Sequence, residues 1–160
     1  MMTSFFPICD EPARLPLPPT NDVANLRRKL QADARARRRD FGRYAALHRG
    51  TPAAIAHLDA GVRVHLNPVR GWLPPEEPSP TANSDAAPDR ATVLFAVGNE
   101  IRSLTVDAAS RDLLHELAGL GPTTCDAWER HSRAFGCGAP RAAILDLVRR
   151  AADEGLVAVG

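Results

Sequence analysis

The sequence predicts an α+β fold: a helical hairpin region first, then a C-terminal domain of a β-hairpin, three helices and a short terminal strand. Three observations carry this prediction. Two strand-like runs, Ala91 to Val97 and Glu100 to Val106, flank Gly98-Asn99, and both turn residues tolerate positive φ, the pattern of a tight two-residue hairpin. After Asp107, apolar residues at helical spacing are broken by Gly119, Gly121-Pro122, Gly136 and Gly138 into three short segments. Before the hairpin, Asp22 and Thr51-Pro52 each open a helical pattern. The 160 residues suit one ordinary domain, or a small domain with an appendage. With 44% hydrophobic but only 5% aromatic residues, the core must be mostly aliphatic.

In chain order, residues 1–21 carry Pro7, Pro12, Pro16, Pro18 and Pro19 without a period and read as an extended arm. Asp22 caps a helix to about His48, with Val23, Leu26, Leu30, Ala34, Phe41 and Leu47 as its apolar stripe. Thr51 caps a second helix from Pro52 to Ala60, stopped by Gly61 in the position that favours a left-handed residue. Joined near Gly50, the two form the hairpin. Val62 to Leu66 alternates like a short strand, and Asn67 to Pro75 reads as a turn-rich apolar connection. Residues 22–75 are thus one helical docking region. Residues 76–90 contain Pro78, Pro80 and Pro88 and no large hydrophobe, so they read as a flexible linker.

Residues 91–160 form the second unit. Asp107 caps a helix with Leu113, Leu114 and Leu117 inward. Thr123 or Thr124 caps the next, which runs through Trp128 to Phe135, with Glu129 as a partial capping-box partner. Pro140 opens the third, with Ile144, Leu145, Leu147 and Val148 inward and Gly155 at its end. Leu156 to Val159 closes as a strand. Hairpin, three helices and terminal strand make a winged-helix-like order.

The formal net charge is +1, but the distribution is uneven. Val23 to Gly50 holds nine Arg or Lys against two Asp, a net of +7, whereas Ala91 to Gly160 nets −2. The basic run reads first as a solvated face or a surface for an acidic partner, and second as a phosphate footprint. Cys9, Cys125 and Cys137 are an odd set, which argues against a disulfide scaffold. No stretch reaches the roughly 18 to 20 apolar residues of a membrane span, and Met1 to Ile8 lacks a basic secretory n-region, so a cytoplasmic location is expected. The five histidines form no HxxxH or HExxH pair, and Cys125, His131 and Cys137 lie six apart, which scatters them around a helix. Without a phosphate loop, GxSxG or CxxC, the sequence offers no catalytic residue and no metal or cofactor site.

The run from Ile101 to Leu114, followed by Leu117 and Gly119, resembles the strand-then-helix centre of precursor-peptide recognition elements, the pyrroloquinoline-quinone type of peptide chaperone. Ala142 to Val148 and Asp153 to Val157 resemble that family's third helix and its closing Gly-Leu end. The helical first half followed by Leu66 to Pro74 is similar to partner proteins of multinuclear non-haem iron oxidative enzymes. The resemblance implies a non-catalytic protein. It would bind the leader of a ribosomally made precursor peptide and present it, as a heterodimer, to the oxidative enzyme. In such elements the leader adds as a strand beside the third helix. That places the peptide on Glu100, Ile101, Arg102, Ser103 and Leu104 and on the helix face bearing Arg141, Leu145 and Arg149. Trp72 in a Pro- and Gly-rich connection, with Arg70 and Leu73, is the preferred contact for the enzyme.

Two rivals remain. A winged-helix DNA-binding regulator needs a positive helix face, yet Arg130 and Arg133 are balanced by Asp126 and Glu129, and Asp146 and Asp153 dilute Arg141, Arg149 and Arg150. Nucleic acid is therefore the less favoured partner. An adaptor that bridges two proteins without a peptide substrate is the third reading.

Overall fold

The computed structural model describes residues 20–75 and 89–160. The arm 1–21 lies outside them except for Thr20 and Asn21, which begin a helix. The linker 76–90 lies outside except for Asp89 and Arg90. The chain is α+β. Its helices are α1 (Thr20–Ala36), α2 (Arg38–Ala54), α3 (Ala108–Leu120), α4 (Cys125–Phe135) and α5 (Arg141–Glu154), with a 3-10 turn at Ile55–Ala60. Its strands are β1 (Arg63–Leu66), β2 (Arg70–Trp72), β3 (Arg90–Val97), β4 (Glu100–Asp107), β5 (Thr123–Thr124) and β6 (Val157–Val159). They form two three-stranded antiparallel sheets, ordered β2-β3-β4 and β5-β1-β6.

The hairpin closes through the expected two-residue turn, with Val97 opposite Glu100, but only Gly98 takes positive φ, at 59°, and Asn99 does not. β3 is buried on both faces because each face has its own cover. Val93 and Phe95 enter the main core with Leu113, Leu117, Trp128, Ile144 and Leu147, while Leu94 and Ala96 face the other way, onto Leu30 of α1. This double burial suits the unbroken apolar run in β3. Its neighbour β2 occupies residues read as an irregular connection. Trp72 pairs with Val93 and Arg70 with Phe95, so the turn-rich composition of 67–75 conceals a third strand.

The N-terminal helices depart from their expected limits. The helix does not continue to His48. It breaks at Arg37, whose ψ of 32° ends α1 and begins α2 without Gly or Pro. α2 then runs through Gly50, Thr51 and Pro52, so Thr51 is interior rather than a cap. The Thr51 hydroxyl donates to the Leu47 carbonyl at 3.3 Å and accepts from Val159 N–H at 2.9 Å, tying helix to β6. The 3-10 turn replaces the predicted second helix and ends, as expected, at Gly61 with φ 85°. The hairpin at Gly50 is absent, because α1 and α2 serve two surfaces. α1 covers the β2-β3-β4 sheet, and α2 docks on the end of α5 and on β6. Tyr44 donates to the Gly155 carbonyl at 2.8 Å, and His48 Nε2 lies 3.1 Å from the Ala152 carbonyl.

The terminal strand β6 pairs with β1 rather than with the hairpin: Val64 lies opposite both Val159 and Thr123. A strand from the first half therefore forms the centre of a sheet whose edges come from the last forty residues. Leu58 and Val64 belong to the same core as Leu147 and Leu156. Asp107 caps α3 by accepting from Ser110 N–H at 2.7 Å, and Thr124 caps α4 by accepting from Ala127 N–H at 3.2 Å. Glu129 does not complete a capping box; it pairs with Arg133 at 2.7 Å and lies 3.6 Å from Arg141. Among the described residues no helix is long and apolar enough to cross a membrane.

Candidate functional site

β4 is the edge of its sheet among the described residues. The turn fixes which of its backbone groups are free. The pair that closes a two-residue hairpin is hydrogen-bonded, and such pairs then alternate with non-bonded ones. Glu100, Arg102, Leu104 and Val106 therefore spend their amides and carbonyls on β3, opposite Val97, Phe95, Val93 and Ala91. Ile101, Ser103 and Thr105 point theirs away from the sheet. An eight-residue edge is long enough to accept another strand.

Side chains on this edge follow the same alternation. Leu104 packs against the main core, while Ile101 packs under α1. Ser103 and Thr105 are exposed, and the Thr105 hydroxyl meets that of Thr92 at 2.9 Å. Arg102 donates to the Glu154 carbonyl at the end of α5 at 3.5 Å and lies 3.8 Å from Glu100, so charge bounds this end of the edge. α5 runs beside β4. Its Leu145 packs partly exposed on the same core as Leu104, and Arg149 stands exposed one turn along the same face. Arg141 is different. It pairs with Asp126, in a bond that joins α5 to α4, and with Glu129, so its guanidinium is engaged within the chain.

At the turn end of β4, a hollow of about 440 Å³ separates the hairpin from the α1–α2 junction. Ala34, Phe41 and Ile101 contribute its apolar wall, with Arg35 and Arg38 also lining it. Six of the expected peptide contacts, Glu100 to Leu104 and Leu145, thus meet along one edge and the adjoining helix. Asp107 closes β4. Its carboxylate accepts from the Ser110 backbone N–H and then the Ser110 hydroxyl, which holds its pKa below the ordinary value.

No protein-family profile, curated protein or solved structure matches the chain.

Arg70, Trp72 and Leu73 lie on the opposite side of the sheet from β4. Leu73 packs under α1 beside Val69, which is 1% exposed, and Trp72 packs against the main core. Much of the apolar surface of 69–73 is thus covered by the chain itself. What stays accessible is a cleft of about 310 Å³ whose lining includes Arg37, Arg70, Trp72 and His115. The rings of Trp72 and His115 lie 5.0 Å apart. Arg37 and His115 were missed in the sequence because they come from the α1–α2 break and from α3, and no local pattern links them to residue 70. Cys125 is buried and Cys137 exposed, and no group of three His, Cys, Asp or Glu among the described residues is placed to share a metal.

Proposed function

We propose that this chain is a non-catalytic recognition protein that takes an extended peptide as an added strand on β4, beside α5. The observation that carries this reading is the free edge at Ile101, Ser103 and Thr105, flanked by the partly exposed Leu104 and Leu145. Main-chain hydrogen bonds would supply affinity, and the hollow at the turn would select a side chain. The resemblance of residues 101–114 and 142–157 to precursor-peptide recognition elements gives the peptide its class: the leader of a ribosomally made precursor. On the same reading the protein works in the cytoplasm and presents the leader to an iron-dependent oxidative enzyme, which holds the metal and performs the chemistry.

A second reading has one observation in its favour. Arg102, Arg111, Arg133, Arg141 and Arg150 each pair with an acid, whereas none of the nine basic residues between Arg27 and Arg49 is ion-paired among the described residues. Such a face suits a nucleic acid backbone as well as an acidic protein.

One experiment separates the two. Tagged full-length protein is recovered from its host, and the eluate is read for peptides, proteins, bound iron and nucleic acid. A short ribosomal peptide whose binding is lost on altering the β4 edge supports the first reading, and an accompanying iron protein supports the heterodimer. Nucleic acid released by raised salt and by replacing Arg35, Arg37, Arg38 and Arg39, with no peptide, overturns it.

A further inference from the structure

Charges taken out of water are ordinarily paired. Arg70 breaks that rule. It is half-buried at the start of β2, no described carboxylate lies within ion-pair distance of it, and the charged group that acts on it is another cation, Arg37. Burial, and then Arg37, push the Arg70 guanidinium below its ordinary pKa, so the charged form is held at a cost to stability.

The two guanidiniums are held in place by consecutive carbonyls. Arg70 donates to Asn67 O at 2.7 Å and Arg37 donates to Pro68 O at 3.4 Å. Each uses one terminal nitrogen this way and retains further N–H groups. The carbonyls themselves are rigid because Asn67, 0% exposed, is locked from three sides. Its side chain donates to Ala96 O at 2.8 Å and Gly155 O at 3.2 Å and accepts from Val69 N–H at 2.9 Å. Both arginines line the 310 Å³ cleft where β2 meets α3, with Trp72, His115 and Leu114 as its other walls.

We propose that Arg37 and Arg70 form an oxyanion-binding site in this cleft, for a carboxylate or phosphate on a small body that lies against Trp72 and Leu114. Two pre-placed cations with spare donors match the fork geometry by which arginines hold such groups. The cleft volume is at the small end for a ligand site. It therefore takes a small molecule or one acidic side chain of a partner, not a polymer. The site lies across the sheet from β4 and is independent of whether β4 takes a peptide.

The test uses full-length protein and NMR of the tryptophan indole N–H signals. The chain has two tryptophans, of which Trp72 lines the cleft and Trp128 is buried in the core. Sodium phosphate, sodium benzoate and N-acetylglutamate α-amide are titrated at constant ionic strength against chloride. The expected result is a saturable shift of the Trp72 signal, not of Trp128, weakened about tenfold or more in R37Q. R70K, which keeps the charge but loses the fork, weakens it similarly and guards against a folding defect from removing a half-buried cation. The probe that saturates lowest names the source: phosphate a phosphorylated metabolite, benzoate a free carboxylic acid, the glutamate amide a partner's side chain. Absence of saturation by all three, or equal titrations in wild type, R37Q and R70K, overturns the site.

Discussion

Ser103→Pro isolates the feature on which the peptide reading depends. Ser103 lies opposite Leu94 in a non-bonded pair, so its amide faces outward and contributes nothing to the ladder with β3. Proline on a sheet edge is tolerated where the lost N–H faces solvent, and Ser103 is exposed. Stability in urea is therefore expected to change by no more than about 1 kcal/mol. An added strand loses one donor at its centre, and its own carbonyl is left unpaired, at a cost of about 1 to 3 kcal/mol. That corresponds to a Kd about 5- to 150-fold weaker, read by fluorescence anisotropy with the recovered peptide. Arg102→Pro is the matched contrast. Its amide belongs to the ladder opposite Phe95, so it should destabilise the fold by about 3 kcal/mol or more. Unchanged peptide affinity in S103P would refute strand addition on β4. A loss of stability equal to that of R102P would refute the assignment of outward amides.

Other expectations rest on single contacts. Leu30 is 1% exposed between α1 and the β2-β3-β4 sheet, so Leu30→Ala should destabilise the isolated chain by about 2 to 5 kcal/mol; no change in the urea midpoint would mean that α1 is not docked. Asn67→Ala removes three side-chain hydrogen bonds from a fully buried site and should cost about 3 kcal/mol or more, measured the same way. Tyr44→Phe removes the hydroxyl that donates to Gly155 O, which Asn67 still serves, so its cost should be only about 1 kcal/mol. Burial, then Arg63, lowers the His65 pKa from 6.5, so the folded state disfavours the protonated ring. His65 then contributes stability above pH 6.5 that is lost as pH falls through its lower folded value; urea midpoints across this window should fall less in His65→Gln.

The covered state of residues 69–73 bears on how an enzyme would dock. Sequence alone presents Trp72 and Leu73 as an apolar loop in search of a partner. Folded, Leu73 lies under α1, and Gly71 lets Leu26 approach so closely that an added methyl group would meet it at 2.7 Å. A partner on this side would meet the arginine cleft and the basic faces of α1 and α2, a surface suited to acidic rather than apolar groups.

The sequence by itself determined the features that a few adjacent residues decide. Gly98-Asn99 specifies the hairpin and its register, Asp107 and Thr124 start helices, and Gly61 and Gly155 end helical segments at φ 85° and 93°. Trp128 falls in the core because it keeps the helical period of α4. Tertiary structure decided everything that needs residues far apart in the chain. Composition made 67–75 a loop, but pairing with β3 makes part of it a strand. Thr51-Pro52 carries a start signal, yet the Val159 amide holds Thr51 inside a continuous helix, 108 residues away in sequence. Among the described residues β4 is an edge because β2 took the other side of β3, and the arginine cleft exists because α1 breaks at Arg37 beside Pro68. Local backbone preferences are written in neighbouring residues, whereas an edge, a cover or a shared cleft depends on which distant surfaces bury each other.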